Sequence, residues 1–335
     1  MITQTAVPWQ TPTWKEELSG AFRSVDDLLQ FLELEGTDLA FQSDSTSPFP
    51  IRVPISYARR MRKGDPDDPL LRQVLPLQAE TLTFPGFVAD PLEEARHNPV
   101  PGVVHKYEGR VLLITSPACA VHCRYCFRRH FPYEDNTGGK AHWQPALDYI
   151  AGDLSVREVI LSGGDPLAAN DNQLQWLTDQ LARIGHIRRL RVHSRFPVVI
   201  PSRIDDPCLS WLGGSRLDTI MVLHINHPAE IDSNLRAMVA RLKDRNITVL
   251  NQAVLLKGVN DSAESLELLS EALFAAGVLP YYLHLLDPVA GASHFDLPVS
   301  EALALYRTLS GRLPGYLLPK LVQDVPGKAS KTYIV

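Results

Sequence analysis

Cys119, Cys123 and Cys126 form the pattern C-x3-C-x2-C, which is the strongest chemical signal in the sequence. The 335 residues contain only one other cysteine, Cys208. Four cysteines are too few for a disulfide framework, so their clustering requires another explanation. Thiolates are soft ligands that bind zinc, copper(I) or iron–sulfur clusters, and the pattern therefore indicates a metal centre.

The number of neighbouring ligands separates these metal centres. A structural zinc site normally has four ligands, so zinc would require His122 or His130 beside the three cysteines. A four-iron cluster held by three thiolates keeps one iron open for a substrate or cofactor. Cys208 lies in a helical pattern beside Leu209 and Leu212, and we expect it to be a small buried apolar residue. We therefore favour a reactive [4Fe–4S] cluster over zinc.

The elements that position these cysteines follow an alternating pattern from about residue 110 onward. Helical stretches of ten or more residues separate six short β-branched runs: RVLLITSP, REVILSGG, RLRVHSR, DTIMVLHIN, TVLNQAVLL and YYLHLLD. Parallel strands need a covering connection of about a dozen residues, so each run is predicted to be a parallel strand followed by a helix. Because a closed barrel has eight such units, we predict an α/β fold, an incomplete TIM-like (β/α)6 barrel or an open doubly wound sheet.

Polar residues that follow the strand ends of such a fold line one mouth. The residues at these positions are Cys119, Gly163, Gly164, Asp165, His193, Arg195, His224, Asn226, Gln252 and Asp287. We predict that they converge on a single cavity, because a purely structural role gives no reason to collect so many polar groups there.

Composition excludes several classes of protein. A hydrophobic content of 45% and a charged content of 21% are typical of a globular protein. With 33 basic and 38 acidic residues the net charge is −5, which disfavours nucleic acid and anionic membrane as partners. No apolar run approaches the ~18 residues of a membrane helix, and the first residues lack the features of a secretion signal. We therefore predict a cytoplasmic protein with no membrane or nucleic-acid partner.

The chain is predicted to have three regions. Residues 1–100 are rich in proline and carry short helical patterns such as SVDDLLQFLEL, where Ser24 and Asp27 are placed as a capping box. Residues 101–313 form the partial barrel, and residues 314–335 form a C-terminal segment.

Several motifs together resemble a known family. CAVHCRYC resembles the radical S-adenosylmethionine signature, and LSGGDPL resembles the glycine-rich motif that holds the methionine amino group of that cofactor. From His105 to the C-terminus, seven stretches are similar in order and spacing to the lysine 2,3-aminomutase family: HKYEGRVLLIT, CRYCFRRHF, LSGGDPL, HINHPAEI, NQAVLLKGVND, GASHF and DVPGKASK. The short length and the N-terminal helical segment resemble the branch that makes β-lysine for the modification of elongation factor P.

The resemblance implies three cofactors. Cys119, Cys123 and Cys126 would hold the [4Fe–4S] cluster. The residues that would bind S-adenosylmethionine are Ser162, Gly163, Gly164, Asp165 and Gln252. The residues around pyridoxal 5′-phosphate would be Lys106, Tyr107 and Arg110 at its phosphate, His224 beside it, and Lys331, rather than Lys328, as its covalent attachment. No side-chain base removes an unactivated hydrogen near pH 7, so the reaction would need the 5′-deoxyadenosyl radical. A reductant such as flavodoxin or ferredoxin would supply the electron that yields this radical.

The resemblance also implies the substrate and the reaction. Arg128, with Arg129 as the alternative, would pair the α-carboxylate of L-lysine, and Asp287 and Asp324 would receive its ε-ammonium. The product would be β-lysine, and the elongation factor P lysyl ligase would be a pathway partner. Two alternatives remain open: an aminomutase that acts on glutamate or arginine, and a non-catalytic iron–sulfur or zinc protein.

Overall fold

The computed structural model describes residues 13–136 and 140–334. Its strands form one sheet, and they are β1 (Val103–Tyr107), β2 (Arg110–Ser116), β3 (Glu158–Gly163), β4 (Arg189–Ser194), β5 (Asp218–Leu223), β6 (Thr248–Val254), β7 (Leu279–His284), β8 (Lys320–Gln323) and β9 (Thr332–Tyr333).

The sheet order follows the sequence from β1 to β9 without closing into a ring. Strands β2 to β8 are parallel, and β1 and β9 are antiparallel at the two edges. The expected incomplete TIM-like barrel of the α/β class is therefore confirmed, and all six predicted strands are present as β2 to β7. The seventh parallel strand, β8, was missed because a four-residue run is too short to show a period.

Helices cover the sheet and connect its strands. Their bounds are α1 (Trp14–Ser19), α2 (Val25–Phe31), α3 (Asp38–Gln42), α4 (Ile55–Ala58), α5 (Pro69–Arg72), α6 (Lys140–Gly152), α7 (Asp171–Arg183), α8 (Phe196–Val199), α9 (Asp206–Gly213), α10 (Ser233–Lys243), α11 (Ala263–Ala275) and α12 (Val299–Ser310). Leu174, Leu177 and Leu181 lie on one face of α7 and are fully buried, as the helical period requires. Cys208 on α9 is also fully buried, which confirms its predicted packing role.

The predicted N-terminal region carries α1 to α5, and its first twelve residues lie outside the described part. At the start of α2 the Ser24 side chain accepts a hydrogen bond from the backbone N–H of Asp27, so the cap is one-sided. None of the described helices is long and apolar enough to cross a membrane.

Candidate active site

A cavity of about 730 Å³ opens at the carboxyl ends of the strands. All ten residues predicted at the strand ends line it, which confirms their convergence. The other residues singled out from the sequence also line this cavity: Lys106, Tyr107, Arg110, Cys123, Cys126, Arg128, Ser162, Asp324 and Lys331.

The loop that carries the three cysteines is held by the N-terminal region. Arg52 donates to the carbonyl of Cys119 at 2.8 Å and accepts from the backbone N–H of His122 at 3.1 Å. The backbone N–H of Arg124 donates to the carbonyl of Gln73 at 2.9 Å. These contacts join residues that are far apart in sequence, so the N-terminal region forms one wall of the cysteine loop.

A buried carboxylate, Glu80, fixes the same loop through two arginines. The Arg124 side chain is fully buried and donates from Nε to Glu80 Oε1 at 2.8 Å. Arg129 Nη2 lies 2.8 Å from Glu80 Oε2 and Nη1 donates to the carbonyl of Gly291 at 3.2 Å. Arg129, the alternative anchor for a substrate carboxylate, is therefore already used by the protein.

The two histidines that could complete a zinc site make other contacts. His122 Nδ1 lies 2.7 Å from the carbonyl of Pro50, and His130 Nε2 lies 3.2 Å from the carbonyl of Ala290. Within the described residues, no three His, Cys, Asp or Glu side chains are arranged to hold a single metal ion. A four-iron cluster does not need that arrangement, because each thiolate binds a different iron.

The glycine-rich loop after β3 lies against the segment that precedes Cys119. The backbone N–H groups of Gly164 and Asp165 donate to the carbonyls of Ser116 and Ala118, both at 2.8 Å. Gly163 has a φ of +126°, which favours glycine. A Cβ on Gly164 would lie 2.5 Å from the carbonyl oxygen of Pro117. The loop is therefore packed closely against the segment before Cys119, and Gly163 and Gly164 line the cavity.

We expect Gly164→Ala to destabilise the protein, because the added methyl would meet three backbone atoms within 2.8 Å. Overpacking of this kind costs about 1–3 kcal/mol. Gly185→Ala is the matched control, since nothing lies within 4 Å of a Cβ at Gly185. Urea unfolding of both variants measures the difference in free energy, and equal stability of the two would contradict this account of the loop.

The carboxylate of Asp165, which the sequence suggested as a cofactor contact, is used by the protein itself. Its oxygens accept from the hydroxyl of Ser194 and from the backbone N–H groups of Leu167, Arg195 and Phe196. Burial raises the pKa of Asp165 to about 6, although these hydrogen bonds act in the opposite direction. The side chain joins the ends of β3 and β4. The backbone N–H and carbonyl of Asp165 bond to Ala118 and Ala168, so both its side chain and its backbone are used by the protein.

Arg128 was expected to pair with the α-carboxylate of the substrate, and in the structure it already forms an ion pair with Glu94. Arg128 Nε and Nη2 donate to the two carboxylate oxygens of Glu94 at 2.7 and 2.8 Å. Nη1 donates to Ser162 Oγ at 3.0 Å and to the carbonyl of Gly163 at 3.3 Å. These bonds use four of the five N–H groups of the guanidinium, and one remains for a ligand. Sequence reasoning missed Glu94 because it lies 34 positions before its partner.

The predicted phosphate-binding residues, Lys106, Tyr107 and Arg110, line the same cavity. Lys106 donates to the carbonyl of Leu92 at 2.8 Å, and burial lowers its pKa. The guanidinium of Arg110 lies 4.7 Å from the ring centroid of Tyr107. The hydroxyl of Tyr107 donates to Asp324 rather than facing the cavity unpaired. Lys106 and Arg110 therefore remain as the two cations for a phosphate group. The hydroxyl of Tyr107 is used to hold Asp324.

Asp287, Asp324 and Lys331 lie in the same cavity, and the pKa values of the two carboxyl groups shift in opposite directions. Burial alone would raise the pKa of Asp324, but its ion pair with Lys331 and the hydrogen bond from Tyr107 hold that pKa below its usual value. Burial, followed by the neighbouring charge of Asp324, raises the pKa of Asp287 to about 7. Asp287 Oδ1 is buried and has no hydrogen-bond partner. Among the described residues Asp287 therefore makes no ion pair, although the charges of Lys331 and Lys106 act against the rise in its pKa.

Three histidines present unpaired nitrogens to the same cavity. The Nε2 atoms of His193, His224 and His284 are buried without a hydrogen-bond partner. Burial lowers the pKa of each imidazole, that of His224 to about 3, so all three are neutral at pH 7. Buried polar atoms are normally paired, and these orphaned nitrogens together with Asp287 fit a cavity built to receive polar ligands.

The donor sets fit the cofactors implied by the sequence. Thiolates of the cysteine loop suit iron, and the glycine loop beside them lines the same cavity. A partial β/α barrel with this cysteine loop and this glycine loop defines a radical S-adenosylmethionine enzyme.

Comparison with curated proteins identifies the family. The chain is 49% identical over 320 residues to L-lysine 2,3-aminomutase of Escherichia coli K12, which covers 95% of this chain and 93% of the relative. It is 47% identical over 332 residues to the Haemophilus influenzae enzyme of the same name, covering 99% and 98%. It is 32% identical over 324 residues to that of Clostridium subterminale, covering 96% and 77%. The chain therefore belongs to the lysine 2,3-aminomutase family of isomerases. A scan against protein-family models gave no match.

Solved structures show a weaker likeness. The enzyme anSMEcpe with bound AdoMet and a peptide has a TM-score of 0.46 and 11% identity, covering 60% of this chain and 59% of its own. A radical SAM methyltransferase from Sphaerobacter thermophilus has a TM-score of 0.42 and 17% identity, covering 66% and 68%.

Proposed function

We propose that the chain converts L-lysine to β-lysine, as the names of its relatives at 47% and 49% identity suggest. The observation that carries this choice of substrate is the buried carboxylate of Asp287, whose Oδ1 has no partner. A buried carboxylate is costly unless a cation pairs with it. The ε-ammonium of lysine supplies that cation.

The second carboxylate gives the ε-ammonium a place by exchange. Asp324 pairs with Lys331 in this structure. Once Lys331 carries pyridoxal phosphate it no longer pairs with Asp324. The ε-ammonium of an arriving lysine then takes the place of Lys331 on Asp324 and also meets Asp287. The side chain of glutamate would be repelled by both acids, which favours lysine over a glutamate-directed reaction.

The other end of the substrate faces Arg128. Burial would raise the pKa of Glu94, but the Arg128 guanidinium outweighs it and lowers that pKa. Glu94 therefore remains a carboxylate that holds the guanidinium in one orientation. The N–H of Arg128 that the protein leaves unused meets the α-carboxylate, and Lys106 adds a second positive charge nearby.

We assign the cofactors to the same residues as the family resemblance does. Cys119, Cys123 and Cys126 hold the cluster, the backbone of Gly163 and Gly164 together with Gln252 holds S-adenosylmethionine, and Lys331 holds pyridoxal phosphate. Bound together, these groups supply a carbon radical that removes an unactivated hydrogen and a carrier for the migrating nitrogen. The protein orients the substrate between its two ends and keeps His193, His224 and His284 uncharged around the reacting atoms.

The proposed partners follow from this reaction. A one-electron protein reductant of the flavodoxin or ferredoxin type reduces the cluster. We further propose that the β-lysine is used by the elongation factor P lysyl ligase, and that the reaction takes place in the cytoplasm.

Product analysis tests this function. The protein is reconstituted anaerobically with iron, sulfide and pyridoxal phosphate, supplied with S-adenosylmethionine and a one-electron reductant, and then incubated separately with lysine, glutamate and arginine. We expect a β-amino acid from lysine alone. A product from glutamate or arginine, and none from lysine, would contradict lysine as the substrate and would support the corresponding alternative aminomutase.

Asp287→Asn and Asp324→Asn should weaken lysine binding far more than they disturb either cofactor. Removing one partner of a buried ion pair costs on the order of 3–5 kcal/mol, so we expect the KM for lysine to rise by about a hundredfold or more. Asp296→Asn is the control, because Asp296 is exposed and does not line the cavity. An unchanged KM and kcat in both cavity variants would contradict the assignment of the ε-ammonium site.

A further inference from the structure

Arg195 lies immediately after β4 and touches one of the proposed cluster ligands. Its side chain is 5% exposed, and Nη1 lies 2.8 Å from Cys123 Sγ and 2.5 Å from the hydroxyl of Tyr125. The sequence placed Arg195 at the mouth of the barrel without giving it a role. Its guanidinium stays protonated in a protein, so it brings a fixed positive charge to this sulfur.

The other end of the guanidinium is held by a buried carboxylate. Arg195 Nη2 lies 3.1 Å from Glu230 Oε2 and donates to Gln73 Oε1 at 2.7 Å. Glu230 is fully buried, and its Oε1 accepts from the backbone N–H groups of Asn226 and His227 at 2.8 and 3.0 Å. The cation therefore cannot turn away from Cys123 without leaving Glu230 unpaired, and its position is set by the fold.

We propose that Arg195 is a positioning residue that raises the reduction potential of the cluster bound by Cys123, and that the negative charge of Glu230 limits the size of this increase. The proposal rests on the proposed function only through Cys123 as a cluster ligand. One-electron reduction by the protein reductant adds one negative charge to the cluster and its thiolates. A cation that donates an N–H to a ligating sulfur stabilises that reduced state, and Glu230 partly cancels the cation.

A purely mechanical role makes a different prediction. Arg195 also donates to the hydroxyl of Tyr57, so it joins the barrel to the N-terminal region. If it only joined them, loss of either Arg195 or Glu230 would loosen the site in the same way. The electrostatic role requires the two losses to move the potential in opposite directions, because one removes a positive charge and the other a negative charge.

The test is the midpoint potential of the reconstituted cluster in wild type, Arg195→Gln and Glu230→Gln, measured by spectroelectrochemistry with iron and sulfide content recorded for each. We expect Glu230→Gln to raise the potential and Arg195→Gln to lower it, each by at least a tenfold change in the ratio of reduced to oxidised cluster, which is 59 mV for one electron. Asp171→Asn is the matched control: it removes the acid from another buried arginine pair, Arg203–Asp171, of which neither residue lines the cavity. Its potential should equal that of wild type.

Intact clusters whose potentials stay at the wild-type value, or move in the same direction in both variants, would overturn the proposal. If Arg195→Gln assembles no cluster, Glu230→Gln decides alone: a raised potential supports the role, and an unmoved one overturns it. A wild-type protein that assembles no cluster would instead refute the proposed function.

Discussion

Replacing Cys119, Cys123 or Cys126 with alanine is expected to remove the iron–sulfur cluster and all detectable turnover together, whereas Cys208→Ala retains both. The three cysteines line the cavity on one loop, and under the proposed function each would supply a thiolate to a cluster with no fourth protein ligand. Cys208 is fully buried on α9, outside the cavity, so its loss removes only packing.

Iron and sulfide content per chain and the electron paramagnetic resonance signal of the reduced protein measure the cluster, and product formation measures turnover. Thermal unfolding of the four variants shows whether each still folds. Full turnover of Cys123→Ala would contradict a radical mechanism, and loss of the cluster in Cys208→Ala would give that cysteine a ligand role.

Lys331→Ala is expected to abolish both covalent attachment of pyridoxal phosphate and turnover, while Lys328→Ala preserves them. Strands β8 and β9 pair antiparallel with Gln323 opposite Thr332, so the chain between them returns Lys331 to the side of Asp324 in the cavity. Lys328 lies in the exposed turn of that hairpin, one residue after Gly327 with its φ of +77°. Only one of the two lysines therefore reaches the cavity.

Borohydride reduction followed by peptide mapping identifies the attached lysine in wild type and in both variants. A pyridoxyl group on Lys328, or none on this hairpin, would refute the assignment. Lys328→Ala is a close control because it removes the same functional group three residues away without touching the cavity.

The strands and the cavity were predictable from the sequence because they depend on local patterns. Short β-branched runs separated by helical stretches identified β2 to β7, and the polar residues that follow them had to meet at one edge of a parallel sheet. Strand β8 was not predicted because its run is short. Strands β1 and β9 were not predicted because edge strands of this kind show little sequence pattern.

The partners of the predicted residues were not predictable, because they depend on contacts between distant segments. Glu94 pairs with the guanidinium of Arg128, which lies 34 positions later in the sequence. Glu80 pairs with the guanidinium of Arg129, which lies 49 positions later. No local period marks such carboxylates before the fold is known. The N-terminal region, which had no assigned role in the sequence, supplies both of them and holds the cysteine loop.

The central claim is that the amino group moves from C2 to C3 within one molecule of lysine. The most direct test incubates the reconstituted protein with [2-15N]lysine, S-adenosylmethionine and a one-electron reductant, and then locates the label in the product by nuclear magnetic resonance. We predict β-lysine that carries 15N on C3. A protein loaded with cluster and pyridoxal phosphate that leaves all 15N on C2, or that releases it as ammonia, would contradict the account.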